Sequence, residues 1–193
     1  MKKYILIIVI IVVVVIAAVL SLIYYLRVEP ESPLDNGEEQ VSAPIFYADE
    51  EWEFEFSYPA DWETRSLLQM EGMTTFGIDS PIEDKSGGPA ASFIVLAFIP
   101  GEEAVFNTEM ERSIKSLEDA GTLVSQSQRT ITGFSAIELL YTDDPENPTT
   151  ERLHYFIDGG DIWYQLLYAA KKEKFDEYLP EVEKMIESFR ITK

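Results

Sequence analysis

The sequence of 193 residues contains no cysteine. This absence excludes disulfide bonds, zinc sites built from thiolates, catalysis by a thiol nucleophile and a lipid anchor on an N-terminal cysteine. The chain has one histidine, His154, so a metal site made of several imidazole groups is excluded as well.

Basic residues are scarce and unevenly placed. Lys and Arg number 15 against 35 Asp and Glu, which gives a formal net charge of −20. The first 27 residues contain Lys2, Lys3 and Arg27 and no acid, whereas residues 28–193 contain 12 basic and 35 acidic residues, a net charge of −23. Because so acidic a segment repels a phosphate backbone, nucleic-acid binding is excluded as its function.

One long apolar run lies at the N-terminus. No residue from Tyr4 to Leu26 is charged, and most are Ile, Val, Leu or Ala. A helix of this length extends about 34 Å at ~1.5 Å per residue, which is enough to cross a hydrocarbon core of ~30 Å. The run predicts one transmembrane helix, with residues 1–27 as the membrane anchor.

Charges on the two sides of this run indicate its orientation. Lys2 and Lys3 precede it, whereas acidic residues follow soon after Arg27. By the positive-inside rule, the N-terminus is predicted to stay in the cytoplasm and the rest of a single-pass membrane protein to lie outside it. The small residues Ala17 and Ala18 leave a cleaved signal peptide as the alternative.

Residues 28–44 differ in composition from the segments on either side. They include three prolines and five acidic residues, no basic residue and few large apolar side chains. This composition is typical of a disordered, extended linker. Residues 45–193 are therefore predicted to form one extracytoplasmic domain beyond the linker.

Periodicity within this domain predicts both strands and helices. Polar and apolar residues alternate from Glu51 to Tyr58, which predicts a strand with one solvent-exposed face. Phe93–Ile99 and Ile162–Ala170 are apolar almost throughout, which predicts two central strands covered on both faces. Helical spacing of apolar residues predicts one amphipathic helix within 102–120. The same spacing predicts a second helix, whose apolar face comprises Phe175, Tyr178, Leu179, Val182, Met185, Ile186 and Phe189.

Proline and glycine predict two local details. Pro180 is best accommodated in a first helical turn, so the main part of the second helix is predicted to begin beside it. Asp158-Gly159-Gly160-Asp161 predicts a two-residue hairpin turn, because both glycines accept positive φ angles. The order strands, helix, strands, helix indicates a layered α/β domain in which helices cover a mostly antiparallel sheet.

One acidic loop contains the candidate metal ligands Asp143, Asp144 and Glu146. Carboxylates suit Ca²⁺, but the loop lacks the D-x-D-x-D-G spacing and the distal bidentate Glu of a calcium loop. We interpret it as a solvated loop, with weak calcium binding as the alternative. His154 lies opposite the apolar face of its strand and is interpreted as a surface or partly packed residue. No catalytic or cofactor-binding residue is assigned.

Four blocks of the sequence resemble one known family. Phe56–Trp62 reads FSYPADW and is similar to the F-x-Y-P-x-x-W signature that opens PsbP-like domains. Phe76–Pro81 is similar to the second block of that family, and Ile131–Ala136 to its next block. The strand Gly159–Ala170, followed by a helix that closes at Phe189, resembles the end of the family.

The resemblance spans about residues 45–191 and implies a PsbP-like α/β/α sandwich around a central, mostly antiparallel sheet. The family includes an extrinsic subunit of photosystem II and membrane-anchored prokaryotic proteins, and related proteins of the same fold bind other proteins. The resemblance therefore implies a non-enzymatic module, without a cofactor, that binds or stabilises a protein partner. An extracytoplasmic calcium-binding or small-ligand-binding protein is the alternative function.

Overall fold

The structure, a computed structural model, describes residues 43–66, 70–81, 89–102 and 104–192. All of them belong to one compact unit, Ser42–Lys193. The predicted anchor and nearly all of the predicted linker lie outside the described residues. Neither helix within the described ranges combines the length and the apolar content that crossing a membrane requires.

The described residues form ten strands and two α-helices. In chain order, the strands are β1 (Ile45–Asp49), β2 (Phe54–Tyr58), β3 (Glu63–Ser66), β4 (Met73–Asp79), β5 (Ala91–Phe98), β6 (Leu123–Ile131), β7 (Phe134–Thr142), β8 (Thr150–Asp158), β9 (Trp163–Lys171) and β10 (Arg190–Ile191). The helices are α1 (Phe106–Asp119), between β5 and β6, and α2 (Phe175–Ser188), which follows a 3₁₀ turn at Lys172–Lys174.

Seven strands form one large sheet in the order β3-β4-β5-β9-β8-β7-β6, and β1, β2 and β10 form a separate small sheet with β2 in the middle. All paired strands within the described residues run antiparallel. β5 and β9 are neighbours inside the large sheet, with Ala91 opposite Ala170 at one end and Phe98 opposite Trp163 at the other. The layered α/β domain with a mostly antiparallel sheet, predicted from the sequence, is confirmed.

The main core lies between one face of the large sheet and a cover made of α2 and the small sheet. Aromatic side chains dominate it, and burying each one stabilises the fold by roughly 1.5–3 kcal/mol relative to exposure. The fully buried rings are those of Phe54, Phe56, Phe93, Tyr155, Tyr164, Tyr168 and Phe189.

The first and last sequence blocks meet in this core. The backbone amide of Ser57 in β2 donates to Ser188 Oγ at the end of α2, over 2.9 Å. The indole Nε1 of Trp62 donates to Glu181 Oε2, also over 2.9 Å. The small sheet is thus attached directly to α2, and residues far apart in the chain form one layer.

The opposite face of the large sheet packs against α1. Met110 of α1, Leu139 of β7 and Phe156 of β8 are buried together there. The predicted apolar stripe of this helix is confirmed, since Phe106, Ile114 and Leu117 pack around the same cluster. Because α1 packs mainly over β7 and β8, the second face of β5 is only half-buried, not fully covered as its sequence predicted.

The hairpin between β8 and β9 is confirmed, but the prediction that Gly159 and Gly160 alone form its turn was wrong. β8 and β9 pair only as far as Asp158 opposite Trp163, so four residues form the loop. Gly160 has a φ of +86°, but Gly159 does not have a positive φ. Gly159 is needed for space instead: a Cβ there would lie 2.5 Å from the carbonyl oxygen of Ile162 and 2.6 Å from the ring of Tyr164.

The placement of Pro180 was also wrong. The 3₁₀ turn runs directly into α2 at Phe175, so Pro180 lies inside the helix and not in its first turn. A proline there removes the amide that the carbonyl of Asp176 normally accepts. Both residues are exposed, so water can satisfy that carbonyl.

Candidate functional site in the cleft beside α1

A cleft of about 520 Å³ opens between α1 and the large sheet, and we call it the helix cleft. It is lined by Arg112, Ser113, Ser116 and Leu117 of α1, Leu139 and Tyr141 of β7, His154 and Phe156 of β8, and Gln165 of β9. Apolar and aromatic side chains with a few converging polar groups are typical of binding clefts of this size.

Both ring nitrogens of His154 have partners in the helix cleft. Nε2 lies 3.0 Å from Gln165 Oε1, and Nδ1 lies 3.4 Å from the hydroxyl oxygen of Tyr141. An amide oxygen can only accept, so Nε2 carries the proton and donates to Gln165, while Nδ1 accepts from Tyr141. The ring of Phe156 packs against the imidazole, with ring centroids 4.0 Å apart.

Burial keeps this group of side chains uncharged. It lowers the pKa of His154 to about 4, and the hydrogen bond to Gln165 offsets only part of the effect. Burial likewise raises the pKa of Tyr141, against an opposite and smaller effect of Arg152. At neutral pH the floor of the helix cleft is therefore a fixed, neutral surface of aromatic rings with internally satisfied polar groups.

We expect the neutral state of His154 to make stability depend on pH. The unfolded chain protonates this residue near pH ~6.5, whereas the folded protein does so only near pH 4. The corresponding stabilisation is complete above the unfolded pKa and is lost as the pH falls towards the folded pKa. The free energy of unfolding of the protein, minus that of His154→Gln, should fall by about 2 kcal/mol between about pH 7 and about pH 5. Denaturant titrations of both proteins measure it, and a difference that does not vary with pH contradicts the burial of a neutral imidazole.

The acidic loop uses its carboxylates to hold its own shape. Asp143 accepts the backbone amides of Thr149 and Thr150 and the hydroxyl of Thr149. Asp144 accepts the amides of Glu146 and of the residue after it. The hydroxyl of Thr149 and the backbone amides of Thr149 and Thr150 hold the pKa of Asp143 well below its usual range. Within the described ranges, no group of three or more His, Asp or Glu side chains is arranged to hold a metal ion, and calcium binding stays a prediction.

Sequence analysis identified His154 but not its partners. Tyr141 and Gln165 belong to strands on either side of β8, and the antiparallel register brings all three side chains to one face. No local motif connects these positions. The one available signal was Gln165 itself, a polar residue in an otherwise apolar part of β9.

A model of the family described as PsbP-like protein matches residues 4–191 of the chain. The comparison with curated proteins gives no match.

Two solved structures have a similar fold. One is the solution structure of cyanobacterial PsbP (CyanoP) from Synechocystis sp. PCC 6803, with a TM-score of 0.57, 17% sequence identity, and coverage of 83% of this chain and 99% of that chain. The other is the crystal structure of LpqN, involved in cell envelope biogenesis of Mycobacterium tuberculosis. Its TM-score is 0.51 at 16% sequence identity, and the match covers 84% of this chain and 90% of that chain. At these identities the likeness establishes the fold.

Proposed function

Because this chain belongs to the PsbP-like protein family, we propose that it is a non-enzymatic accessory module that binds or stabilises a protein partner. The apolar run from Tyr4 to Leu26 anchors it in the cell membrane with the N-terminus in the cytoplasm. Residues 28–44 then connect this anchor to a domain that lies outside the cytoplasm.

The helix cleft carries this proposal. Its polar floor is satisfied internally, because His154 bonds to both Gln165 and Tyr141. The floor therefore offers a partner a neutral, mainly aromatic and aliphatic surface, which recognises an apolar side chain by shape and burial, while Arg112, Ser113 and Ser116 of α1 form a polar side of the cleft. The cleft therefore suits one anchoring side chain of a protein partner.

Charge supports a basic partner around that anchor. Both cations of α1 are already paired, Arg112 with Glu109 at 2.7 Å and Lys115 with Asp119 at 3.0 Å. Residues 45–193 contain 12 basic and 30 acidic residues, a net charge of −18. The field of such a domain steers positively charged proteins towards it.

The direct test is isolation of the full-length protein from its native membranes in mild detergent, after crosslinking, with mass spectrometry of the complex and of the N-terminus. We expect an intact N-terminus and a stoichiometric protein partner. A chain that starts beyond Ala18 and carries no partner contradicts both the anchor and the accessory role.

A matched pair of variants on α1 tests the helix cleft itself. Ser116 is exposed and lines the cleft, so Ser116→Trp should fill it and reduce partner recovery at least tenfold, which corresponds to about 1.4 kcal/mol. Glu118 is also exposed but lies about 200° further around the helix, and Glu118→Trp should leave recovery unchanged. Equal recovery with both variants places the partner elsewhere on the domain.

A further inference from the structure

A second cavity, of about 500 Å³, lies on the opposite face of the large sheet from the helix cleft. The turn between β6 and β7 forms one wall, and the end of α2 forms the other, with Ile131 and Ile186 at its base. We call it the turn cavity. Its volume is within the range of small-molecule sites.

The wall of the turn cavity contains a strained residue. Thr132 and Gly133 connect β6 to β7 with φ angles of +50° and +89°. A β-branched residue rarely adopts this left-handed conformation, for which Asn or Gly is normally used. Thr132 Oγ1 is also buried and is the one buried side-chain polar atom without a hydrogen-bond partner among the described residues. Strain and an unsatisfied hydroxyl at one position, beside a cavity, indicate a functional reason for the threonine.

Two guanidinium groups reach the turn cavity from different elements. Arg129 of β6 uses Nη1 to bond Glu138 Oε2 at 3.1 Å and the hydroxyl oxygen of Tyr155 at 2.9 Å. Arg190 of β10 uses Nη1 to donate to two backbone carbonyl oxygens at the end of α2, each over 2.7 Å. Each guanidinium is therefore held through one nitrogen and retains further N–H donors.

The residues that line the turn cavity are less acidic than the domain as a whole, and Glu138, the ion-pair partner of Arg129, is not among them. The seven lining residues include Arg129, Arg190 and Glu187, a net charge of +1. Glu187 is exposed, and its carboxylate can turn into solvent. Guanidinium groups bind carboxylates and phosphates through their N–H donors, and Arg129 and Arg190 each have such donors that they do not use within the protein.

We propose that the turn cavity binds a small organic oxyanion, a carboxylate or a phosphate monoester, through Arg129 and Arg190. Rotation of the Thr132 side chain exchanges its methyl and hydroxyl groups, which brings a third donor to the oxyanion. The Nη1 hydrogen bonds of the two arginines are explained by their role in holding the fold together. That role does not explain why Thr132 has a strained backbone and an unpaired hydroxyl. This site is separate from the helix cleft and does not depend on the proposed protein partner.

The test is titration of the full-length protein in mild detergent with succinate and, separately, with inorganic phosphate, at constant ionic strength. Calorimetry and the NMR signals of the 130–133 backbone amides report binding. We expect saturable binding of at least one probe with a Kd near or below ~1 mM. Binding of succinate alone identifies a carboxylate ligand, and binding of phosphate alone identifies a phosphorylated one.

Three variants establish where the probe binds. Arg190→Gln should weaken binding at least tenfold, and Glu187→Gln should tighten it, because the only carboxylate in the lining is removed. Arg65→Gln is the matched control, since Arg65 is a similarly exposed arginine on β3 at the far edge of the sheet, and it should leave binding unchanged. Circular dichroism confirms that each variant is folded. Failure of both probes to saturate, or equal weakening by Arg190→Gln and Arg65→Gln, overturns the proposal.

Discussion

Replacing Trp62 by alanine is expected to lower the free energy of unfolding by about 3–5 kcal/mol. The indole is 3% exposed and packs edge-on against Tyr178 of α2, with ring centroids 5.8 Å apart. Its Nε1 also donates to Glu181. The substitution therefore leaves a large cavity, and it removes the contact that α2 makes with the segment following β2. Urea denaturation followed by circular dichroism measures the loss.

Two further variants separate the causes. Trp62→Phe keeps an aromatic ring but leaves Glu181 without its indole donor, and we expect a smaller loss of about 1.5–3 kcal/mol. Trp52 is the matched control: it lies in the turn before β2 and is only half-buried. Trp52→Ala should therefore cost clearly less than Trp62→Ala, and equal losses show that packing against α2 is not what makes Trp62 important.

Gly159→Ala is expected to destabilise the protein by about 3 kcal/mol, at the upper end of the cost of overpacking. The new Cβ would lie 2.5 Å from the carbonyl oxygen of Ile162, a backbone atom that cannot move without distorting the loop between β8 and β9. It would also meet the ring of Tyr164, which is 0% exposed. Neither neighbour can yield cheaply, so the strain spreads into the central strand. Thermal and chemical denaturation both report the loss.

Gly101→Ala provides the control for backbone entropy. Gly101 has no positive φ, and no atom lies within 4 Å of the Cβ position. We expect Gly101→Ala to change the free energy of unfolding of the protein by no more than about 0.5 kcal/mol. If the two glycine variants have the same stability, the close approach at Gly159 does not constrain the loop.

Much of the fold was predictable from local patterns. The apolar stripe from Phe106 to Leu117 predicted α1, and the apolar run ending at Ala170 predicted a central strand; both are confirmed. These predictions succeed because the period of a helix or strand is imposed on each short segment by its buried face. The turn at Gly159 and the position of Pro180 in its helix were predicted wrongly, because the roles of these residues depend on their surroundings outside their own segments. Gly159 is required by the approach of Tyr164, and Pro180 is tolerated because its side of α2 faces solvent.

The sequence by itself determined most of the secondary structure, the family and the strongly acidic character of this chain, because composition, periodicity and block order can be read without knowing which residues touch. Only the tertiary structure decided which blocks touch and where the sites form. Ser57 meets Ser188, and His154 meets Tyr141 and Gln165, because strand register and helix docking bring distant residues together. The turn cavity likewise exists only where the β6–β7 turn meets the end of α2. The physical reason is that a binding site needs side chains from several elements, and their mutual positions follow from packing of the whole core, which no short segment encodes.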